Sequence, residues 1–134
     1  MIAKTACAIA VWLIFTAAVP SPISVIDFVK IKNNKREEAL YFYNNNWKVY
    51  REIALKKGYI SSYKMLLTRP GSGGYDIMLI TTYKDSIQQK NSEANFAEII
   101  KAERPKGPKL LNDIKPVDFR ETVSSTAADQ IASN

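Results

Sequence analysis

The stretch YFYNNNWKVYREIALKKG, residues 41–58, decides the fold that this sequence predicts. Aromatic and apolar residues recur through it at alternating intervals of 3 and 4 positions, the spacing of one face of an α-helix. These residues are Leu40, Tyr43, Trp47, Tyr50 and Ala54. The stripe keeps its phase across the asparagines at 44–46, so the sequence predicts one continuous helix over residues 35–57. At least two of the asparagines should then point to solvent, because the stripe occupies the inner face.

Both ends of this helix carry capping signals. Asn34, followed by Glu37 three residues later, fits a variant of the capping box and predicts the start of the helix. Lys56 and Lys57 suit the negative end of the helix dipole, and Gly58 is placed as a C′ residue.

The rest of the chain alternates between strand-like and helix-like segments. The predicted strands span residues 24–32, 59–69, 75–84 and 116–123, and a second helix spans residues 87–103. The sequence PGSGG at 70–74 predicts a hairpin turn. The order β-α-β-β-α-β predicts an α+β, ferredoxin-like domain with an antiparallel sheet and two helices on one face. This domain is expected over residues 25–123, followed by a disordered tail at 124–134.

The predicted strands carry apolar residues on both faces of the sheet. In the third strand, Tyr75, Ile77 and Leu79 alternate with Met78 and Ile80. Helices on one side of an antiparallel sheet leave the other side open to water. We therefore expect a second copy of the chain to cover that side in a homodimer.

The first 18 residues are typical of a cleaved secretory signal peptide. One charge, Lys4, precedes an apolar run at residues 6–19 that is shorter than the ~20 residues a membrane-spanning helix needs. Thr16 and Ala18 provide small residues for cleavage after Ala18, and residues 19–24 form a leader. We expect an exported protein, periplasmic or secreted, with no stable membrane anchor after cleavage. A retained anchor is the alternative.

The composition excludes several kinds of chemistry. The chain has no histidine and one cysteine, Cys7, which would leave with the signal peptide. The remaining chain would lack the groups for a disulfide, a thiol nucleophile, a Cys/His zinc site or a histidine base. We expect no cofactor and no bound metal. The net charge of +6 is scattered along the chain, so we also expect no nucleic-acid partner.

Six residues are candidates for a ligand site. Tyr43, Trp47 and Tyr50 form either the core or the wall of an apolar pocket, and their polar tips need partners when buried. Asn44 and Arg51 flank that stripe, where they either orient a polar or anionic group of a ligand or lie in solvent.

Asp27 is the sixth candidate, because it lies between apolar neighbours in the sequence VIDFV of the first strand. A carboxylate on a half-buried strand is able to serve as a base. The alternative is an ion pair with Lys64 or Arg120 on a neighbouring strand.

The order of elements, the long aromatic first helix ending in KKG and the strand–turn–strand after it resemble the dimeric α+β barrel superfamily. Within it, the chain is similar to short exported bacterial proteins of unassigned role, near the antibiotic-biosynthesis-monooxygenase and NIPSNAP groups. The resemblance covers residues 25–123. It implies that two subunits pack sheet to sheet and that each holds a pocket between its sheet and its helices. Haem-degrading members use a helix histidine as the iron ligand, which this chain lacks.

Three functions follow from this reasoning. The first is an exported protein that binds a small apolar or aromatic molecule between the first helix and the sheet. The second is a cofactor-free oxygenase or isomerase acting on an aromatic or quinone-like compound. The third is a structural dimer with no pocket. An open cavity lined by Trp47 and holding a buried charge would favour the first two, and a fully packed interface would favour the third.

Overall fold

The computed structural model describes residue 14, residues 19–71 and residues 73–131. It contains four strands, named β1 to β4, and five α-helices, named α1 to α5, within these residues. In chain order the elements are β1 (Ile23–Ile31), α1 (Arg36–Phe42), a π-helical turn (Tyr43–Trp47), α2 (Lys48–Lys56), β2 (Ser62–Leu67), β3 (Ile77–Tyr83), α3 (Ser86–Lys90), α4 (Ser92–Glu103), α5 (Pro116–Phe119) and β4 (Arg120–Asp129).

The four strands form one antiparallel sheet in the order β2-β3-β1-β4. This order, with helices between the first and second and between the third and fourth strands, is the ferredoxin-like arrangement. The predicted α+β fold class is confirmed. β1 is central in the sheet, and β1 and its neighbours on both sides carry the side chains that face the helices.

The predicted first helix is continuous, but its middle is not an α-helix. α1, the π turn and α2 follow one another with right-handed helical backbone at every junction, and together they are called the first helix below. The asparagines occupy the π turn, where each turn of the helix takes up an extra residue. That wider turn buries Asn46 together with Trp47, so the prediction that the asparagines follow α-helical spacing is wrong.

The start of the first helix also differs from the prediction. Asn33 and Asn34 adopt left-handed backbone with φ of 53° and 54°, and the N-cap position falls on Lys35 without a side-chain cap. Asn34 is therefore a turn residue, and the predicted capping box is not formed. The end is confirmed, because Gly58 has φ of 72° and Tyr59 N–H donates to the Ala54 carbonyl.

The predicted stripe of the first helix is buried against the sheet. One cluster joins Tyr43 and Trp47 to apolar residues of β1 and β3, and a second joins Tyr50 and Ala54 to residues of β3 and α4. We call the side of the sheet that these helices pack on the covered face. Its buried strand residues are Val29, Ile77, Leu79, Thr81 and Tyr83.

The predicted second helix is divided into α3 and α4 at Asn91. Asp85 caps α3, because its carboxylate accepts a hydrogen bond from Gln88 N–H at 2.8 Å. Ile99 of α4 is buried in the second cluster, so α4 packs beside α2.

The C-terminal strand begins and ends later than the sequence predicts. Pro116–Phe119 forms a short helix with proline in its first turn, where the missing N–H is no cost. β4 then runs from Arg120 to Asp129, through much of the segment predicted as a disordered tail. Its small polar side chains are exposed, and its backbone is ordered by antiparallel pairing with β1 along the whole of β1. Residues 132–134 lie outside the described residues.

The other side of the sheet, called the open face below, is apolar and is not packed against any helix that the structure describes. Its apolar side chains are partly exposed, and they lie opposite one another across β1, β2 and β3. They are Ile26, Phe28, Leu66, Met78 and Ile80.

The predicted signal peptide lies outside the described residues apart from Ile14. Within the described part of the chain, no helix has the length and apolar character that crossing a membrane requires.

Candidate functional site

A cavity of about 250 Å³ lies between the first helix and the covered face of the sheet. We call it the helix–sheet cavity. It is lined by aromatic, aliphatic and charged side chains from the first helix, β1, β3, α4 and β4. These are Asp27, Phe42, Tyr43, Trp47, Tyr50, Arg51, Leu79, Ile100, Arg120 and Thr122.

The aromatic wall of the cavity comes from the first helix. Tyr43, Trp47 and Tyr50 are all buried, with Trp47 8% exposed, and all three line the cavity. Trp47 makes a T-shaped contact with Tyr63 of β2, with ring centroids 5.8 Å apart. The same residues are thus both core and cavity wall, two roles that the sequence alone leaves open as alternatives.

Arg51 places a positive charge in this apolar setting. Its guanidinium lies 3.9 Å from the ring centroid of Phe96 and 4.8 Å from that of Trp47, and its Nε donates to Thr81 Oγ1 at 3.0 Å. Burial disfavours the charged form and lowers the Arg51 pKa to about 10, while the charge of Asp27 raises it in part. Among the described residues, no carboxylate lies within 4.0 Å of this guanidinium.

Arg120 supplies a second guanidinium, at the start of β4. It lies 5.0 Å from the Phe42 ring centroid and 5.9 Å from that of Tyr43. Its Nε is buried and has no hydrogen-bond partner within the described residues. Burial raises the pKa of Tyr43 to about 12, and the positive charge of Arg120 opposes that rise. Tyr43 is therefore a neutral hydroxyl at physiological pH.

Asp27 is the carboxylate of the cavity. Its Oδ1 accepts a hydrogen bond of 2.6 Å from Ser125 Oγ on β4. Lys64 is not a partner, because Lys64 pairs with Ile80 and Asp27 pairs with Leu79, which places them on opposite faces of the sheet. An ion pair between Asp27 and Arg120 is not formed either.

The structure brings five of the six predicted site residues to one cavity and leaves one outside. Asn44 is exposed and does not line the cavity. Its neighbour Asn46 is 1% exposed and has all of its amide hydrogen-bonding capacity used. Asn46 Nδ2 donates to the carbonyls of Phe42 and Lys109, and Oδ1 accepts from Lys109 N–H and Arg104 Nε, over distances of 2.8–3.3 Å.

Arg104 reinforces this connection, since its Nη2 donates to the Asn45 carbonyl at 2.7 Å. The π turn is therefore tied to the segment after α4, beside the cavity.

Sequence reasoning missed Phe42, Leu79, Ile100, Arg120 and Thr122 as cavity residues. Arg120 carried a usable signal, because it is a charged residue inside the predicted strand 116–123, where strand alternation assigns it to one face of the sheet. The others carry no chemical signal in the sequence, since phenylalanine, aliphatic and threonine side chains are ordinary in strands and helices.

A larger recess of about 430 Å³ lies next to α3. Every residue that lines it is exposed or only partly buried, and they include Gly58, Tyr59, Lys84 and Gln88. It is a surface depression without a desolvated charge, so the helix–sheet cavity is the better candidate site. No group of three or more potential metal-binding residues occurs within the described residues.

Comparison with known proteins agrees with this fold. No protein-family model and no curated protein matches the chain. Among solved structures, it is similar to a dimeric protein of unknown function with a ferredoxin-like fold from Bacteroides fragilis, with a TM-score of 0.51 and 16% identity over 82% of this chain and 94% of that one. It is also similar to HapK from Hahella chejuensis, with a TM-score of 0.51 and 13% identity over 84% of this chain and 95% of that one. At such low identity the likeness shows the fold alone, and the predicted ferredoxin-like fold is confirmed.

Proposed function

We propose that this protein is an exported small-molecule-binding protein whose ligand, apolar or aromatic, occupies the helix–sheet cavity. The observation that carries the proposal is the Arg51 guanidinium, which lies over two aromatic rings at the cavity and has no carboxylate within 4.0 Å among the described residues. A desolvated charge without a counter-ion costs free energy, and such costs are characteristic of binding sites.

The shape and lining of the cavity support the same function. Ligand pockets are mostly apolar with a few polar groups, and their volumes are typically about 300–1,000 Å³. The cavity of about 250 Å³ lies just below that range, which suits a compound with one or two rings. A cavity lined by Trp47 and holding a buried charge argues against a structural dimer with a closed helix–sheet interface.

Ligand titration followed by Trp47 fluorescence tests this function. The second tryptophan is removed by Trp12→Phe, so that the signal reports on the cavity alone. We expect saturable quenching by one- or two-ring compounds, and loss of that quenching in Thr122→Phe, whose larger side chain fills the cavity. Val117→Phe, on the exposed side of α5, is the control and should bind as the parent does. Absence of saturable binding across neutral and charged members of the panel would contradict the proposal.

Asp27 favours an enzymatic alternative in which the same cavity holds a substrate. It is the carboxylate of the cavity, and its one described hydrogen-bond donor is a hydroxyl, which leaves it able to accept a proton. A cofactor-free oxygenase or isomerase would show a changed product mass or isomer by mass spectrometry and chromatography, and Asp27→Asn would abolish the change without abolishing binding. Binding with no product in aerobic buffer would exclude this alternative for the compound tested.

A homodimer is part of the proposal. The open face carries five partly exposed apolar residues on three strands, and the similar protein from Bacteroides fragilis is described as dimeric. A second copy packed sheet to sheet would remove this apolar area from water.

Export with cleavage after Ala18 is the remaining part of the proposal. It is supported by the apolar run at residues 6–19 and the small residues at the predicted site. Intact-mass measurement of the protein recovered from the exporting host tests it. A mass that retains residues 1–18 would contradict cleavage.

A further inference from the structure

Two guanidinium groups at the helix–sheet cavity favour a ligand that carries a negative charge. Arg51 and Arg120 both line the cavity, and Asp27 is its one carboxylate. Asp27 already accepts a hydrogen bond from Ser125 and forms an ion pair with neither arginine. The lining of the cavity therefore carries a net positive charge.

The free hydrogen-bond donors lie at the edges of the two guanidinium groups. The guanidinium of Arg51 lies over the rings of Trp47 and Phe96, and its Nε donates to Thr81 Oγ1. Its remaining N–H groups have no hydrogen-bond partner within the described residues. A guanidinium presents its donors in a planar fork that matches a carboxylate, which makes such an edge a ready site for an acidic group.

Arg120 shows the same pattern from the other wall. It lies against the rings of Phe42 and Tyr43, and its buried Nε has no hydrogen-bond partner in the described part of the chain. A buried donor without an acceptor is costly, and an anionic oxygen in the cavity would remove that cost.

We infer that the ligand of the helix–sheet cavity is a one- or two-ring aromatic acid, whose ring packs against Trp47 and Tyr50 and whose carboxylate is held by Arg51 and Arg120. The inference rests on the proposed function and narrows it to a class of compound. Tyr43 supports it, because burial keeps its hydroxyl neutral and so adds no negative charge beside the acid.

A matched pair of probes tests the inference: 2-naphthoate, which carries the acid, and 2-naphthamide, which has the same shape without the charge. Both are titrated into the full chain by isothermal calorimetry. Hydrogen bonds to charged groups correspond to roughly tenfold or more in affinity, so we expect 2-naphthoate to bind at least about ten times more tightly. In Arg51→Gln and in Arg120→Gln that preference should fall to within about threefold, while 2-naphthamide binds as before.

The control variant is Lys101→Gln, which removes one positive charge from the exposed side of α4 and should leave the preference unchanged. Arg51→Lys keeps the positive charge but loses the planar fork of N–H donors, so it should retain only part of the preference for 2-naphthoate over 2-naphthamide. Should either glutamine variant fail to fold, as judged by circular dichroism, the other and Arg51→Lys still test the inference.

The outcomes separate the two proposals. Equal affinity of the two probes in the parent protein would overturn the aromatic-acid inference and leave the binding function in place. A preference for 2-naphthoate that survives both arginine substitutions would also overturn it. Binding of neither probe at about 1 mM, a concentration at which even weak specific binding is detected, would overturn the aromatic-acid inference, while the titration with the wider panel of compounds decides the binding function.

Discussion

The covered and open faces of the sheet are built from alternate residues of the same strands, yet they differ in the charges they carry and in what packs on them. On the covered face, apolar side chains share the interior with Arg51, Arg120 and Asp27, and a cavity remains. On the open face, Phe28 of β1 and Met78 of β3 are paired; both side chains are uncharged, and both remain partly exposed. The charges of the covered face therefore lack a counter-ion, and the apolar side chains of the open face lack a surface that packs on them. We propose that a ligand supplies the counter-ion and that a second copy of the chain packs on the open face.

The largest effect should come from the covered face, by Trp47→Ala. Removing a buried tryptophan costs about 3–5 kcal/mol of unfolding free energy. Because Trp47 already borders a cavity, we expect a loss of about 3 kcal/mol, at the low end of that range. Urea denaturation at two protein concentrations measures it, and the loss should be the same at both. Leu55→Ala, on the exposed side of α2, should cost less than about 1 kcal/mol. A similar cost for both variants would show that Trp47 is not part of the core.

The open face is tested by Met78→Asp. A carboxylate beside Phe28 and Leu66 would be removed from water in a sheet-to-sheet dimer but stay solvated in a monomer. We expect the dimer to weaken at least about a hundredfold, or about 2.7 kcal/mol. Sedimentation velocity at tens of micromolar measures it. The control is Ile87→Asp, on the exposed side of α3, which should leave the dimer intact. A parent protein that sediments as a monomer would contradict the homodimer itself.

A third, smaller effect on stability is expected in the π turn, where Asn46 and Asn45 can be compared. Asn46→Ala removes the partner of both backbone groups of Lys109 and of Arg104 Nε, so we expect a loss of about 2 kcal/mol. Asn45→Ala removes one bond to the Tyr41 carbonyl and gains helix propensity, so its effect should stay within about 0.5 kcal/mol. Urea denaturation of the two variants side by side is the measurement. Equal effects would mean that Asn46 does not hold the segment after α4.

The smallest effect concerns the pKa of Tyr43. Its folded-state pKa of about 12 lies above the ordinary value of 10, so the stability linked to it is present below pH 10 and is lost as pH rises from 10 through 12. Between pH 9 and pH 11 the parent protein should lose about 1 kcal/mol more than Tyr43→Phe, which has no hydroxyl to ionise. Denaturant midpoints at the two pH values give the difference. Tyr75→Phe, outside the cavity, is the control and should follow the parent.

The regular parts of the fold were predictable because their patterns are local. Alternation in β3 assigns Ile77 and Leu79 to one face and Met78 to the other, and the stripe from Tyr43 to Ala54 identifies the inner side of the first helix. Five of the six candidate site residues meet at the cavity for the same reason: helix and strand periodicity both point them inward.

The wrong predictions for Asn46 and for the C-terminal strand share a physical cause: contacts with residues far away in the sequence determine the structure at both places. Asn46 is buried because Lys109 and Arg104, about 60 positions away, satisfy its amide. No pattern within the helix shows this, and an assumed period of 3.6 residues excludes it. The C-terminal strand was predicted to end at residue 123, because the small polar residues after it are typical of a disordered tail. Its order comes from the backbone of β1 rather than from its own side chains.

The pairing of β1 with β4 determines when the cavity can form. Asp27 and Ser125, which bond across these strands, are 98 positions apart in the chain. Contacts between such distant segments close large loops and make folding slow compared with helix or hairpin formation. Arg120 and Thr122 enter the cavity through this same pairing. During synthesis, the first helix and the β2–β3 hairpin can therefore assemble while the cavity still lacks a wall, and the cavity is completed only when β4 pairs with β1 in the final step of folding.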